Sequence, residues 1–289
     1  MDASEGVSAD LRDFNDSIDS VAGGTSEFIW KRHAGLARAT IAVTVLLMGA
    51  MGYLDILFFS KNPGADPRFP IVLFLLPLLI PLLLYKIVAA RMQKLFYSQL
   101  ALALGYAYAP SAPIATASGH LFSIGHDQRI SDVLSGTYRD HAARFYTLQF
   151  ITGSGKSQET HEYFVCEIDA GAVLPEILIK CHTMRSIPFA PWQPPKTVPL
   201  TLEGDFNKSF DVYVPDGNQI EALEVLQPDL MASLMDGYAS YSFECSGDKL
   251  YVFTQNEPRT KESFQAAAAL VDQLFDKLLP RLAEIGTRA

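Results

Sequence analysis

Residues able to do chemistry are thinly spread along this chain. Its six histidines, His33, His120, His126, His141, His161 and His182, form no HxxxH or HExxH pair, and no CxxC accompanies them. The spacings that gather three or four metal ligands are therefore missing. Cys181 and His182 are adjacent, and neighbouring side chains on a strand point to opposite faces, so they make poor joint ligands. The segment Thr152-Gly153-Ser154-Gly155-Lys156-Ser157 contains the GKS tripeptide of a phosphate-binding loop. Phe150 stands where that motif needs its first glycine, and strand-like sequence follows where it needs a helix, so a hairpin turn is expected. Glu203 and Asp205, two apart and close to Lys208, have the pattern of paired carboxylates; between two strands they read as a solvated turn with Lys208 as local counter-ion. No GxSxG elbow or dinucleotide fingerprint is present. The sequence nominates no catalytic, cofactor-binding or metal-binding residue.

The formal net charge of −9 disfavours nucleic-acid phosphates and anionic lipid surfaces, and no nucleic-acid partner is expected. Three cysteines, Cys166, Cys181 and Cys245, are odd in number and widely spaced, which fits a reducing compartment and buried thiols better than a disulfide framework.

The elements that would position any site begin with two apolar runs, Ala39 to Phe59 and Pro70 to Ala90, separated by the polar stretch Ser60 to Phe69. Each covers about 31 Å as a helix, the thickness of a bilayer hydrocarbon core. The reading is a transmembrane hairpin over residues 35–95 with spans at about 39–59 and 70–90. Pro77 and Pro81 share a face of the second run and are expected to bend it. Asp55 lies near the end of the first run and is expected to reach the interface. The first run is longer than a signal-peptide core and follows an acidic leader, so it reads as a retained anchor. Lys31, Arg32 and Arg38 before the first run, and Lys86, Arg91 and Lys94 after the second, outnumber Lys61 and Arg68 between them, which puts both termini in the cytoplasm.

Residues 1–34 carry seven acids against Arg12, Lys31 and Arg32 and read as a partly disordered acidic segment, with Leu11, Phe14, Ile18 and Val21 at the spacing of a short amphipathic helix. Residues 96–289 read as a cytoplasmic α+β domain. A helix is expected to continue to Gly105, followed by an irregular connection from Ala109 to Gln128. A three-stranded meander is expected over 132–168, then strands at LPEILIKC, TVPLTLEG and SFDVYVP, helices at Gln219–Leu226 and Pro228–Met235, a hairpin turning at Gly247-Asp248, and a closing helix from Lys261 to Ile285. The fold class expected is therefore α+β: a two-helix transmembrane hairpin followed by antiparallel strands with helices at the ends.

The phrases HLFSIGHDQRISDVLSGTY and LEGDFNKSFDVYVPDGNQIEALEVLQPDLMASLMD, with the terminal helix, resemble a family of uncharacterised bacterial two-span membrane proteins with a C-terminal cytoplasmic domain of unknown function. The resemblance covers roughly residues 85–285. It implies a multi-pass protein of the bacterial inner membrane, and brings no catalytic residue, cofactor or activity. The expected partners are the lipid bilayer and a protein, or a second copy of the chain. The function expected is a membrane-anchored interaction or scaffold protein; a membrane-tethered enzyme without recognisable motif, or a subunit of an oligomeric transporter, are the alternatives.

Overall fold

Segments rich in aromatic and β-branched residues recur between His126 and Thr254, and most of the strands form there. The structure, a computed structural model, describes residues 13, 15–17, 25–62, 79–114, 117–171, 173–183, 193–202, 204–255 and 261–277. The chain divides into two compact units, Val21–Phe96, and Tyr97–Ala289 together with Met1–Ser20.

The first unit contains helix α1, Thr25–Lys61, and the start of helix α2, Leu79–Leu104. Thr44 of α1 is buried, whereas Val45, Leu46, Tyr53, Leu54 and Ile56 are exposed.

The second unit is built on nine strands: β1 Ala107–Ala112, β2 His126–Tyr138, β3 His141–Thr152, β4 Glu159–Asp169, β5 Ile177–Cys181, β6 Thr197–Pro199, β7 Phe210–Pro215, β8 Ser242–Ser246 and β9 Lys249–Thr254. They form one sheet in the order β1-β2-β3-β4-β9-β8-β5-β7-β6, and every neighbouring pair is antiparallel. The late hairpin β8–β9 thus sits in the centre, joining the β1–β4 meander to β5, β7 and β6. Pro110 lies in one edge strand and Pro199 ends the other. Proline donates no hydrogen bond, so it suits an edge and blunts it against further pairing.

One sheet face carries the register row Leu134, Phe145, Cys166, Val252, Phe243 and Ile179, all buried. Helix α5, Lys261–Lys277, lies on this face through Phe264, Ala267, Ala268, Val271 and Leu274, the three-and-four spacing of an apolar helical stripe. Phe264 meets Phe164 edge-on at 5.5 Å between ring centroids and Tyr97, from the last turns of α2, at 6.1 Å. Two shorter helices, α3 Gln219–Val225 and α4 Pro228–Gly237, bury Ala222, Val225, Leu230 and Leu234. Pro228 opens α4 at a position where its missing N–H costs nothing. Ser233 of α4 donates to Gln273 of α5 at 2.7 Å.

This architecture corrects the expected fold class. Among the described residues the fold is an antiparallel nine-stranded sheet with a few helices rather than a two-helix hairpin followed by a domain. Among the described residues no helix is long and apolar enough to cross a membrane, so the transmembrane spans, the multi-pass topology and the inner-membrane location with cytoplasmic termini are not sustained. Helix α2 shows why the run was misleading. It is not bounded by the apolar stretch: it passes Lys86, Arg91 and Lys94 and ends with Tyr97, Leu100 and Ala101 buried in the core of the sheet unit. The start of the second run, residues 70–78, lies outside the described residues, as do Leu11, Phe14, Ile18 and Val21 of the amphipathic pattern. A second correction concerns β1, which forms where irregular chain was expected to begin. The sequence AYAPSA has no period of its own and is ordered by pairing, Ala107 opposite Ser135 and Tyr108 opposite Leu134, with Tyr108 stacked on Tyr97 at 6.5 Å.

Candidate functional site

The opposite sheet face is where polar groups converge. Strand alternation places Ser135, Arg144, Glu167, Tyr251, Glu244 and Leu178 in one cross-strand row, each opposite the next in register. Two carboxylates thus flank Tyr251 with one strand between them, which sets them about 10 Å apart, two strand spacings. Both are only 5% exposed.

Glu167 is met from the meander side. Its Oε2 accepts from Arg144 Nη2 at 2.6 Å and from the Tyr146 hydroxyl at 3.0 Å. Arg144 also lies over the Tyr146 ring, 5.7 Å from its centroid. Burial, helped by the Glu167 charge, raises the Tyr146 hydroxyl well above the usual tyrosine range. Tyr146 therefore stays a neutral donor.

Glu244 is satisfied differently. Its two oxygens accept the backbone N–H groups of His120 and Leu121, the latter at 3.2 Å. These open a single-turn 3-10 helix, His120–Ser123. Burial pushes the Glu244 carboxyl up to about 7, against the lowering effect of the two N–H bonds, and Glu176 adds to the rise. Tyr251 takes part in the same closure: Ser118 N donates to its hydroxyl at 3.0 Å, and Phe122 packs edge-on against its ring at 5.0 Å. Gly119 fits because it has no side chain. Its φ is 138°, and a Cβ there would stand 3.2 Å from the carboxyl carbon and both oxygens of Glu244.

Two carboxyls with unlike surroundings are the raw material of acid–base catalysis. Here the geometry directs them elsewhere. Each Glu244 oxygen accepts a main-chain donor, and Leu121, fully buried, lies in the segment that covers it. Glu244 and Tyr251 tie the covering segment to the sheet.

The residues singled out from sequence are dispersed. Gly155-Lys156-Ser157 form one exposed 3-10 turn between β3 and β4. Gly153, at φ 77°, opens that turn, where a Cβ would run into the Ser157 carbonyl oxygen. Cys181 points inward and accepts from Ser242 Oγ at 3.3 Å, while the His182 ring bridges the Lys208 carbonyl and Asp211, each at 2.9 Å. Asp205 and Lys208 pair at 2.8 Å with both side chains about three-quarters exposed. Glu203 lies outside the described residues. His161 contacts Thr152 at 2.8 Å, His126 pairs with Asp127 on the surface, and His141 faces the Asp169 carbonyl at 2.7 Å. Cys166, Cys181 and Cys245 are all buried thiols; burial raises Cys166 well above the ordinary range and Cys245 to about 12. Among the described residues no three His, Cys, Asp or Glu side chains gather as a metal site would require.

Glu167 and Glu244 escaped attention in the sequence, although a signal was there. Each is a lone acid inside an apolar strand, in FVCEI and SFECS, and each adjoins a cysteine. A charge at such a position demands a partner.

No family model matches the chain, and no curated protein matches it. Among solved structures, the crystal structure of the mycobacterial trehalose monomycolate transport factor A, TtfA, is similar at 12% identity, covering 63% of this chain and 91% of that one with a TM-score of 0.48. A likeness of that size carries no argument about this chain, and the comparisons assign it no biochemical activity.

Proposed function

We propose that the protein is an interaction or scaffold protein that associates with a second copy of itself through α1. The observation that carries this reading is the breadth of apolar surface on that helix. Val43, Val45, Leu46, Leu47, Tyr53, Leu54, Ile56, Leu57 and Phe58 are all 39% exposed or more. At 100° per residue they sweep about 220° of the helix circumference. Apolar surface of that extent marks a contact site. Along Ala42–Phe58 the single charge is Asp55, so the matching surface must also be apolar and nearly uncharged. The same helix of another copy meets that requirement.

Light scattering on the purified full-length chain, compared with the double variant L46E/I56E, tests the reading. The wild type is expected to run as an oligomer and the variant as a smaller species with unchanged circular dichroism. A monomeric wild type, or partition of the wild type into phosphatidylcholine vesicles in place of self-association, would overturn it.

A further inference from the structure

The turn that carries the GKS tripeptide closes on itself. The Ser157 N–H and hydroxyl both donate to the Ser154 carbonyl, at 3.1 and 2.9 Å, and Gly153 enters the turn at φ 77°. One side chain ties it to the neighbouring strand. His126, the first residue of β2, stands opposite Ile151 in register, and its ring reaches beyond the end of β3. There Nε2 lies 3.1 Å from the Gly153 carbonyl oxygen, while Nδ1 lies 2.9 Å from the Asp127 carboxylate. Asp127 is in the left-handed region at φ 52°, beside a break in the β2–β3 register. Among the described residues the His126 ring makes the one hydrogen bond between this turn and β2.

We propose that His126 is a proton-operated latch on the β3–β4 turn: its imidazolium holds Gly153–Ser157 to the start of β2, and its neutral ring releases them. The direction follows from counting donors. Both ring nitrogens face acceptors, and only the imidazolium has two N–H groups to give them. A neutral ring has one N–H and turns a lone pair towards the other oxygen. Asp127 carries the charge, so it keeps the remaining proton on Nδ1. Nε2 then opposes its lone pair to that of the Gly153 carbonyl, and this contact is the one that breaks. The groups around the ring agree with that order. From its own strand it faces the Asp127 carboxylate, from β3 the uncharged Ile151, and from the turn the Gly153 carbonyl. The single titratable side chain of Gly153–Ser157, Lys156, is exposed. The Gly153 bond, and after it the Asp127 bond, hold the ring above the ordinary histidine value. Solvent screens a ring that is about half exposed, so its effect falls on the turn rather than on global stability.

Long-range proton–nitrogen NMR spectra of the histidine rings, recorded on the full-length protein through neutral and mildly alkaline pH, test the latch. The His126 ring is expected to titrate above 6.5 and, once neutral, to carry its proton on Nδ1. The amides of Ser154, Gly155 and Lys156 should shift with the same midpoint, and their heteronuclear NOE values should fall as the ring loses its proton. In D127N the midpoint should drop and the preference for Nδ1 should disappear. In H126F the turn amides should show the loosened state at every pH. A His126 midpoint at or below 6.5, a neutral ring protonated on Nε2, or turn amides indifferent to the His126 titration would each overturn the proposal. All three readouts come from the wild type, so they remain decisive should either variant not fold.

Discussion

Tyr138 at the end of β2 donates its hydroxyl to Asp272 of α5 at 2.8 Å, across 134 positions of sequence, with both side chains buried. This bond ties α5 to the end of β2 and so sets its position along the sheet. Asp272 also lies 3.4 Å from Arg139, so the acid is held by two consecutive residues of one strand end. Without it the apolar stripe of α5 would determine which face is down and leave its position along the sheet loosely specified.

Removing that hydroxyl in Y138F should cost about 1–2 kcal/mol, the usual price of leaving a buried acceptor short of a partner. Urea unfolding followed by circular dichroism reads the loss. An unchanged midpoint would show that Arg139 alone suffices.

Arg144 and Glu167 stand opposite in register on β3 and β4. Replacing Arg144 by Met strips a 5%-exposed carboxylate of its cation and should destabilise by about 3 kcal/mol, the low end for a broken buried pair because Arg144 itself is about a quarter exposed and Tyr146 still donates. The double variant R144M/E167L should recover much of the loss. A double-mutant cycle in guanidinium measures both numbers.

Phe264 is fully buried among Tyr97, Phe145 and Phe164. F264A removes the ring that three elements share and should cost about 3–5 kcal/mol. Thermal unfolding is the check, and a loss below about 1 kcal/mol would mean that α5 does not depend on this anchor.

Stability should also depend on pH through Glu244. Its carboxyl is raised from 4.5 to about 7 on folding, so across that window the folded state holds a proton that the unfolded chain has released. The contribution is fully present below about 4.5 and is lost as pH rises towards 7, with a span of about 3 kcal/mol. Asp169 acts in the opposite sense: hydrogen bonds from Lys249 and the Gly171 N–H lower it, so its contribution is lost as pH falls through its folded value. Denaturant midpoints from pH 4.5 to 8 should therefore fall and then flatten in the wild type, with the fall absent in E244Q.

Much of the sheet could be read locally. The stretches ARFYTLQFI and THEYFVCEI became β3 and β4, the Gly247-Asp248 turn joins β8 to β9, and the stripe from Phe264 to Leu274 became the buried face of α5. Period and turn chemistry are properties of neighbours in sequence, and these elements needed nothing more. The apolar runs between Ala39 and Ala90 misled for the same reason: hydropathy reports that a segment avoids water, and gives no account of what covers it. The end of α2 is covered by the sheet unit.

Sequence by itself determined the existence and type of most strands and helices, the acidic balance, and the lack of any recognisable catalytic or ligand motif. Only the tertiary structure decided that the last hairpin, β8–β9, enters the middle of the sheet, that AYAPSA becomes an edge strand, and that Arg144, Glu167, Tyr251 and Glu244 fall into one row. Strand order is a choice among pairings far apart in the chain, settled by the joint burial of both sheet faces. The partners of a buried acid are then whatever that pairing brings opposite it, main-chain donors at His120 and Leu121 in one case and an arginine in the other.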